Sequence, residues 1–284
     1  MSSYRQRCDH IGSMAASLLP SALTLLALSV LVTAVQAQQR PAIDFAADRF
    51  GYQLGSGAQC QSQWVDSSAG QTLVLQPASA EVAASDDGGA LVTLPWAFEY
   101  YQQLAAQLVV SSNGYVSFAD SLQADNGGDF SNDCSLPAVP DNNATAAGRI
   151  MVWHDDLRAD NGSLTAAEFA DCPRPGRLPG DACSVISWQN WGVLDGVADG
   201  VDFQLLLYRR ARDVVMQYGS VLPDSSSATI GMQQQQLLTA VNAACNVAVA
   251  VSPGATLCLQ HPLPPQTLFR DGMETGLLAA QPEL

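Results

Sequence analysis

Alternation between apolar and polar positions runs through most of the chain. Val201, Phe203, Leu205 and Leu207 share one parity, while Asp202, Gln204 and Tyr208 share the other. A period of two puts successive side chains on opposite faces, as in a half-buried strand. A turn at 209–213 and a second alternating run at 214–218 complete a predicted hairpin. A second hairpin is marked by Asn113-Gly114, flanked by the strand-like runs 108–112 and 115–118. Asn-Gly supplies the positive φ angles that a type I′ turn demands. Further strands are predicted at 71–76, 90–94, 149–153, 184–188, 228–232 and 255–260. Helical signals are weak, confined to 233–244 and one turn at 166–170. Many short strands with Gly and Pro punctuation predict an all-β fold, an antiparallel β-sandwich.

The two ends of the chain follow other rules. Arg5 and Arg7 precede an apolar run from Leu18 to Val35, and Val35-Gln36-Ala37 places small residues where a signal peptidase needs them. This pattern predicts a secretory signal peptide over 1–37, cleaved after Ala37. The alternative is an uncleaved anchor, since the run approaches the length of a membrane span. The sandwich then occupies 38–262. His261-Pro262-Leu263-Pro264-Pro265 stops its last strand, because proline removes ladder donors, and 263–284 reads as a Pro-rich linker and tail.

Cysteine usage fits an exported chain. Cys8 leaves with the signal, and Cys60, Cys134, Cys172, Cys183, Cys245 and Cys258 remain. An even set outside the cytoplasm predicts disulfides, with about 15 possible pairings for six cysteines. Pairing neighbours in sequence gives Cys60–Cys134, Cys172–Cys183 and Cys245–Cys258 as the expected set. Zinc is disfavoured, since no C-x-x-C occurs and only His154 and His261 remain after cleavage.

Composition narrows the partners. The chain has 27 acidic and 12 basic residues, no lysine and a net charge of −15. It carries no electrostatic footprint for nucleic acid or an anionic membrane surface. With 48% hydrophobic residues it can build a core and is not a disordered polyelectrolyte. The expected location is secreted or at the cell surface, or the periplasm, with no membrane insertion after cleavage.

Candidate chemistry is sparse. Calcium needs six to eight hard oxygens, and three Asp groups offer them: Asp125, Asp129 and Asp133; Asp195, Asp199 and Asp202; and Asp155 with Asp156. Solvated turns are the competing explanation, because Asp, Asn and Gly favour turns anyway. No other cofactor is indicated. Trp64, Trp96, Trp153, Trp188 and Trp191 raise a sugar-stacking platform, although Trp188 and Trp191, three apart, are expected on opposite faces of a strand. No Gly-x-Ser-x-Gly elbow accompanies the two histidines, which argues against a serine hydrolase. Asp155 and Asp156 are adjacent, so they would not flank one glycosidic bond. The expectation is no enzyme; the alternative is a secreted, glycosidase-like hydrolase using Asp155 or Asp156.

Five pieces in order carry a resemblance. They are Trp64-Val65-Asp66 with Gly70; Asp86-Asp87-Gly88 before Leu94-Pro95-Trp96-Ala97-Phe98-Glu99-Tyr100-Tyr101; Ser111-Ser112-Asn113-Gly114-Tyr115-Val116-Ser117-Phe118; Ile150-Met151-Val152-Trp153-His154-Asp155-Asp156-Leu157; and Phe203-Gln204 through Gln217-Tyr218-Gly219. Over residues of about 60–260 the chain resembles a family of secreted bacterial β-modules and is similar to the NIDO-type extracellular domain of nidogen-like proteins. Gln102 stands where that family usually has Gly. The tail, with Asp271-Gly272-Met273-Glu274-Thr275-Gly276, resembles a DGFESG-like ending of exported proteins. The resemblance implies an extracellular, non-catalytic module, sometimes linked to adhesion. The expected function is a binding or adhesion module for an extracellular protein or carbohydrate. The loops 125–133 and 195–202 are the expected contacting edge.

Overall fold

A computed structural model describes residues 47–262, apart from 57–59, 61, 160, 173–179, 195–199, 223–224 and 249. The expected signal peptide, the tail, and Asp195 and Asp199 lie outside the described residues. The strands are β1 (Gln53–Ser56), β2 (Gln71–Thr72), β3 (Gln76–Pro77), β4 (Gly88–Tyr100), β5 (Gln103–Ser111), β6 (Tyr115–Ser117), β7 (Arg149–His154) and β8 (Leu157–Arg158). They continue with β9 (Ser163–Phe169), β10 (Cys183–Val193), β11 (Val201–Tyr208), β12 (Val214–Tyr218), β13 (Thr229–Gln233), β14 (Ala240–Cys245) and β15 (Thr256–Gln260).

Two antiparallel sheets form. The first runs β1-β15-β12-β11-β10-β9-β2, with β8 also pairing β10; the second runs β14-β13-β7-β6-β5-β4-β3. The alternation in β11 is realised as read. Val201, Phe203, Leu205 and Leu207 enter the main core with Val92, Leu108, Val116 and Ile150 of the second sheet. Leu206 and Tyr208 turn outward into a smaller cluster with Val185, Val215 and Val65. The outer face of the first sheet is therefore also covered. The segment 62–67 lies over it, tied by side chains that act as a surrogate strand. Gln204 both accepts from the Val65 N–H and donates to its carbonyl, each at 3.3 Å, and Gln217 donates to the Gln63 carbonyl at 3.0 Å.

Four expectations are corrected. The weakly helical stretch 233–244 is a β-hairpin, because pairing of β14 with β13 satisfies its backbone and overrides a weak propensity. The expected turn at 166–170 lies mostly in β9, paired with β10. Trp188 and Trp191 face the same core, because a bulge at Gln189-Asn190 inserts one extra residue between the pairs Trp188–Phe203 and Trp191–Val201. The disulfides are Cys60–Cys258, Cys134–Cys245 and Cys172–Cys183, so only the last matches the expected set. Sheet order explains the other two. β1 runs beside β15, which carries Cys258, and the loop after β6 crosses the second sheet to reach Cys245 on β14.

The tight turns also exchange places. Asn113-Gly114 belongs to a three-residue connection, Ser112 to Gly114, in which only Gly114 has positive φ, +73°. A Cβ at Gly114 would strike the Trp153 carbonyl. The two-residue turn with both centres at positive φ is Tyr101-Gln102, at 46° and 68°, between the paired Tyr100 and Gln103. Both signs are those of a type I′ turn.

Candidate functional site

The acidic loop closes inward. Asp125 and Asp129 are each 1% exposed and both pair with the buried Arg149 of β7. Arg149 also donates to Asn142 at 3.0 Å and lies 4.3 Å above the Tyr115 ring, whose hydroxyl donates to Asp125 at 3.1 Å. Burial opposes the Arg149 charge, but Tyr115, Asp125 and Asp129 hold its pKa above the ordinary value. His154 donates from Nε2 to the Asp129 carbonyl at 3.1 Å, while its buried Nδ1 has no partner among the described residues. Burial is the main cause that lowers its pKa to about 4, so it is neutral in the fold. The loop 125–133 is thus a strut across the outer face of the second sheet, and the expectation that it presents Asp125 and Asp129 at a contacting edge is corrected. The reason is the unpaired cation the sheet would otherwise bury. Removing one partner of such a buried pair costs about 3–5 kcal/mol.

The remaining Asp candidates are dispersed. Asp133 is raised by burial and by Asp141 and Asp129. Asp155 is buried at a bend after β7, accepting from Ser227 Oγ at 2.7 Å and from the Asp156 N–H at 3.0 Å. Burial raises its pKa, and those two donors counter it. Asp202 accepts from the Asn190 N–H at 2.7 Å and so fastens the β10 bulge. Among the described residues no three carboxylate, imidazole or thiolate groups converge as a metal would require.

A cleft of about 380 Å³ opens where the first sheet's β9, β10 and β11–β12 ends meet the second sheet. Between the pairs Thr93–Gln107 and Phe98–Ala105, β4 carries three residues more than β5. The four β4 residues between those pairs, Leu94-Pro95-Trp96-Ala97, place Pro95 and the half-buried Trp96 on one wall. Glu168, Phe169, Gly180, Arg209 and Arg210 form the rest. The β11–β12 turn is held by Asp181, which accepts from the N–H groups of Arg210 and Ala211 at 2.8 and 2.9 Å. Its pKa is raised by burial against those two bonds. The Cys172–Cys183 disulfide anchors the same end.

The groups in the cleft are complementary to one another in kind. Arg209 is exposed, and its guanidinium carbon lies 5.7 Å from the Trp96 ring centre. Glu168 keeps solvent access, while its carboxyl accepts from the buried Ser184 hydroxyl at 2.8 Å. Burial of the carboxyl raises it to about 7, with the Ser184 bond opposing. Flat ring, guanidinium and carboxyl can together hold a polar molecule that has one apolar face.

Neither Glu168 nor Arg209 was among the expected site residues. Their signal was faint but present: three of the chain's few basic residues, Arg209, Arg210 and Arg212, crowd one turn. Of the five tryptophans, Trp153, Trp188 and Trp191 are buried in the core, while Trp64 and Trp96 reach the surface. Trp64 flanks a smaller groove with Ser62, Gly219, Gly254 and Thr256, at the Gln217–Thr256 end of the β12–β15 pair.

The profile of the NIDO-related family matches residues 58–262, which takes in the body from Cys60 to the end of β15. The chain belongs to the NIDO-related family. The NIDO-related match covers the second sheet, every strand of the first sheet except β1, all three disulfides and the end cleft. No curated protein and no solved structure matches the chain. The family and three disulfides are consistent with an exported, extracellular domain. Among the described residues no helix is long and apolar enough to cross a membrane.

Proposed function

We propose that this NIDO-related domain is secreted and serves as a binding or adhesion module without turnover, using the end cleft as its contact. The observation that carries the reading is the wall of Trp96 beside Arg209 and Glu168, opened by the β4 bulge on a disulfide-anchored end of the sandwich. Functional residues set at the rim of a rigid scaffold are positioned without ordering cost on binding. Screening the mature protein against arrays of glycans and extracellular proteins tests it. Binding should be lost in Trp96→Ala and weakened in Trp96→Phe, with circular dichroism unchanged. Partners bound equally by the parent and both variants would remove the cleft from consideration.

A hydrolytic reading is favoured by one observation, the Glu168 carboxyl raised to about 7, where a general acid works. That residue lines the cleft, whereas Asp155 is tied to Ser227 and Asp156 is not among the lining residues. Glycoside hydrolysis that disappears in Glu168→Gln would establish this reading and displace the non-catalytic one.

A further inference from the structure

We infer that the end cleft recognises an acidic saccharide, a hexuronate unit, with its carboxylate on Arg209 and its ring on Trp96. This rests on the proposal that the cleft is the binding site, and adds the ligand class. Three observations converge. First, the protein is strongly acidic, with 27 acidic against 12 basic residues, yet this cleft exposes a guanidinium. Among the described residues that guanidinium meets the Trp96 ring and no carboxylate partner. By contrast, Arg149 and Arg212 are both paired, with Asp125 and Asp129 and with Glu99. A fork of guanidinium donors left open to solvent suits a planar oxyanion, and a carboxylate or sulfate accepts it bidentately.

Second, the wall beside the guanidinium is aromatic. Trp96 and Phe169 both line the cleft. A pyranose has an apolar C–H face that packs on an aromatic ring and an equatorial rim of oxygens that takes donors. An extended acidic peptide would need a strand edge or a row of side-chain pockets; the cleft has one aromatic wall and polar ends.

Third, the negative group in the cleft is the one least able to repel the ligand. The Glu168 carboxyl is held by Ser184 and raised to about 7, so near neutrality a large share of it is protonated. In that form it donates a hydrogen bond to a sugar oxygen.

Isothermal titration of the full mature protein with trigalacturonate and with neutral galactotriose tests the inference. Trigalacturonate should bind at least tenfold more tightly than the neutral trisaccharide. Arg209→Gln, a surface change, should remove that tenfold preference. Trp96→Phe should weaken both sugars severalfold. Equal binding of the two sugars, lost in Trp96→Phe and unchanged in Arg209→Gln, overturns the acidic class and keeps the cleft. Trigalacturonate binding unchanged in both variants overturns the inference and the cleft together. An acidic peptide binding in preference to either sugar, with the same Arg209 dependence, overturns the saccharide class alone.

Discussion

Single residues carry backbone conformations that their side chains do not favour. Gln102 sits at φ +68°, where an L-residue costs about 1–2 kcal/mol and glycine costs little. Its neighbour Tyr101 is held at positive φ by burial of its ring against Phe50, Tyr52 and Tyr100. Gln102 is exposed and has no such hold. Gln102→Gly should therefore stabilise the fold by about 1 kcal/mol, roughly 2–4 °C in Tm, as calorimetry would show. An unchanged or lower Tm would mean the added unfolded-state freedom outweighs the relief. The resemblance had pointed to Gly at this position, and the dihedral supplies the reason. His154 makes a second residue-scale case. Its folded pKa of about 4 lies below the ordinary value of 6.5. Between those values the unfolded chain binds a proton that the fold excludes, so its contribution to stability is present above pH 6.5 and is lost as pH falls towards 4. His154→Gln should flatten the decline in Tm across that window. An identical pH profile in the variant would show that other groups set the acid limit.

Among the elements, the loop between β6 and β7 shows how strongly context decides a role. Its composition reads as a solvated turn or a calcium site. In the fold it lies over a sheet face that carries Arg149, and it neutralises that charge twice. The loop is stapled at one point by Cys134–Cys245, and Gln233 ties it again by donating to the Ala138 carbonyl at 2.9 Å. Cys134 is exposed and Cys245 half-buried, whereas the other four cysteines are buried. Under native conditions a soluble phosphine should reduce Cys134–Cys245 first, read as selective alkylation of those two thiols by mass spectrometry. Simultaneous reduction of all three would show that global opening governs access. The β4 bulge is the second instructive element. The strand was legible at 90–94, but its continuation to Tyr100 through Pro95 was not, because the irregular pairing with β5 breaks the alternation. The same irregularity displays Trp96.

For the whole molecule, the longest of the three disulfides is Cys60–Cys258, closing a span of 198 residues and fastening the start of the body to its last strand. Cys172–Cys183 spans only 11. In the chain-entropy account the long closure stabilises by about 5 kcal/mol and the short one by about 3. Replacing Cys60 and Cys258 by Ala should accordingly lower the urea midpoint more than replacing Cys172 and Cys183. The reverse order would place the disulfide contribution in local packing rather than in loop closure. Period-two alternation alone was enough to determine an all-β sandwich and the β11–β12 hairpin, since facing is a local consequence of extended backbone. The even cysteine count likewise announced cross-links. Which cysteines meet, which aspartates neutralise Arg149, and how Trp96, Glu168 and Arg209 come to share one cleft were decided only by tertiary structure. These depend on strand order and on bulges, which bring together residues from 11 to 198 positions apart and leave no periodic trace in the chain.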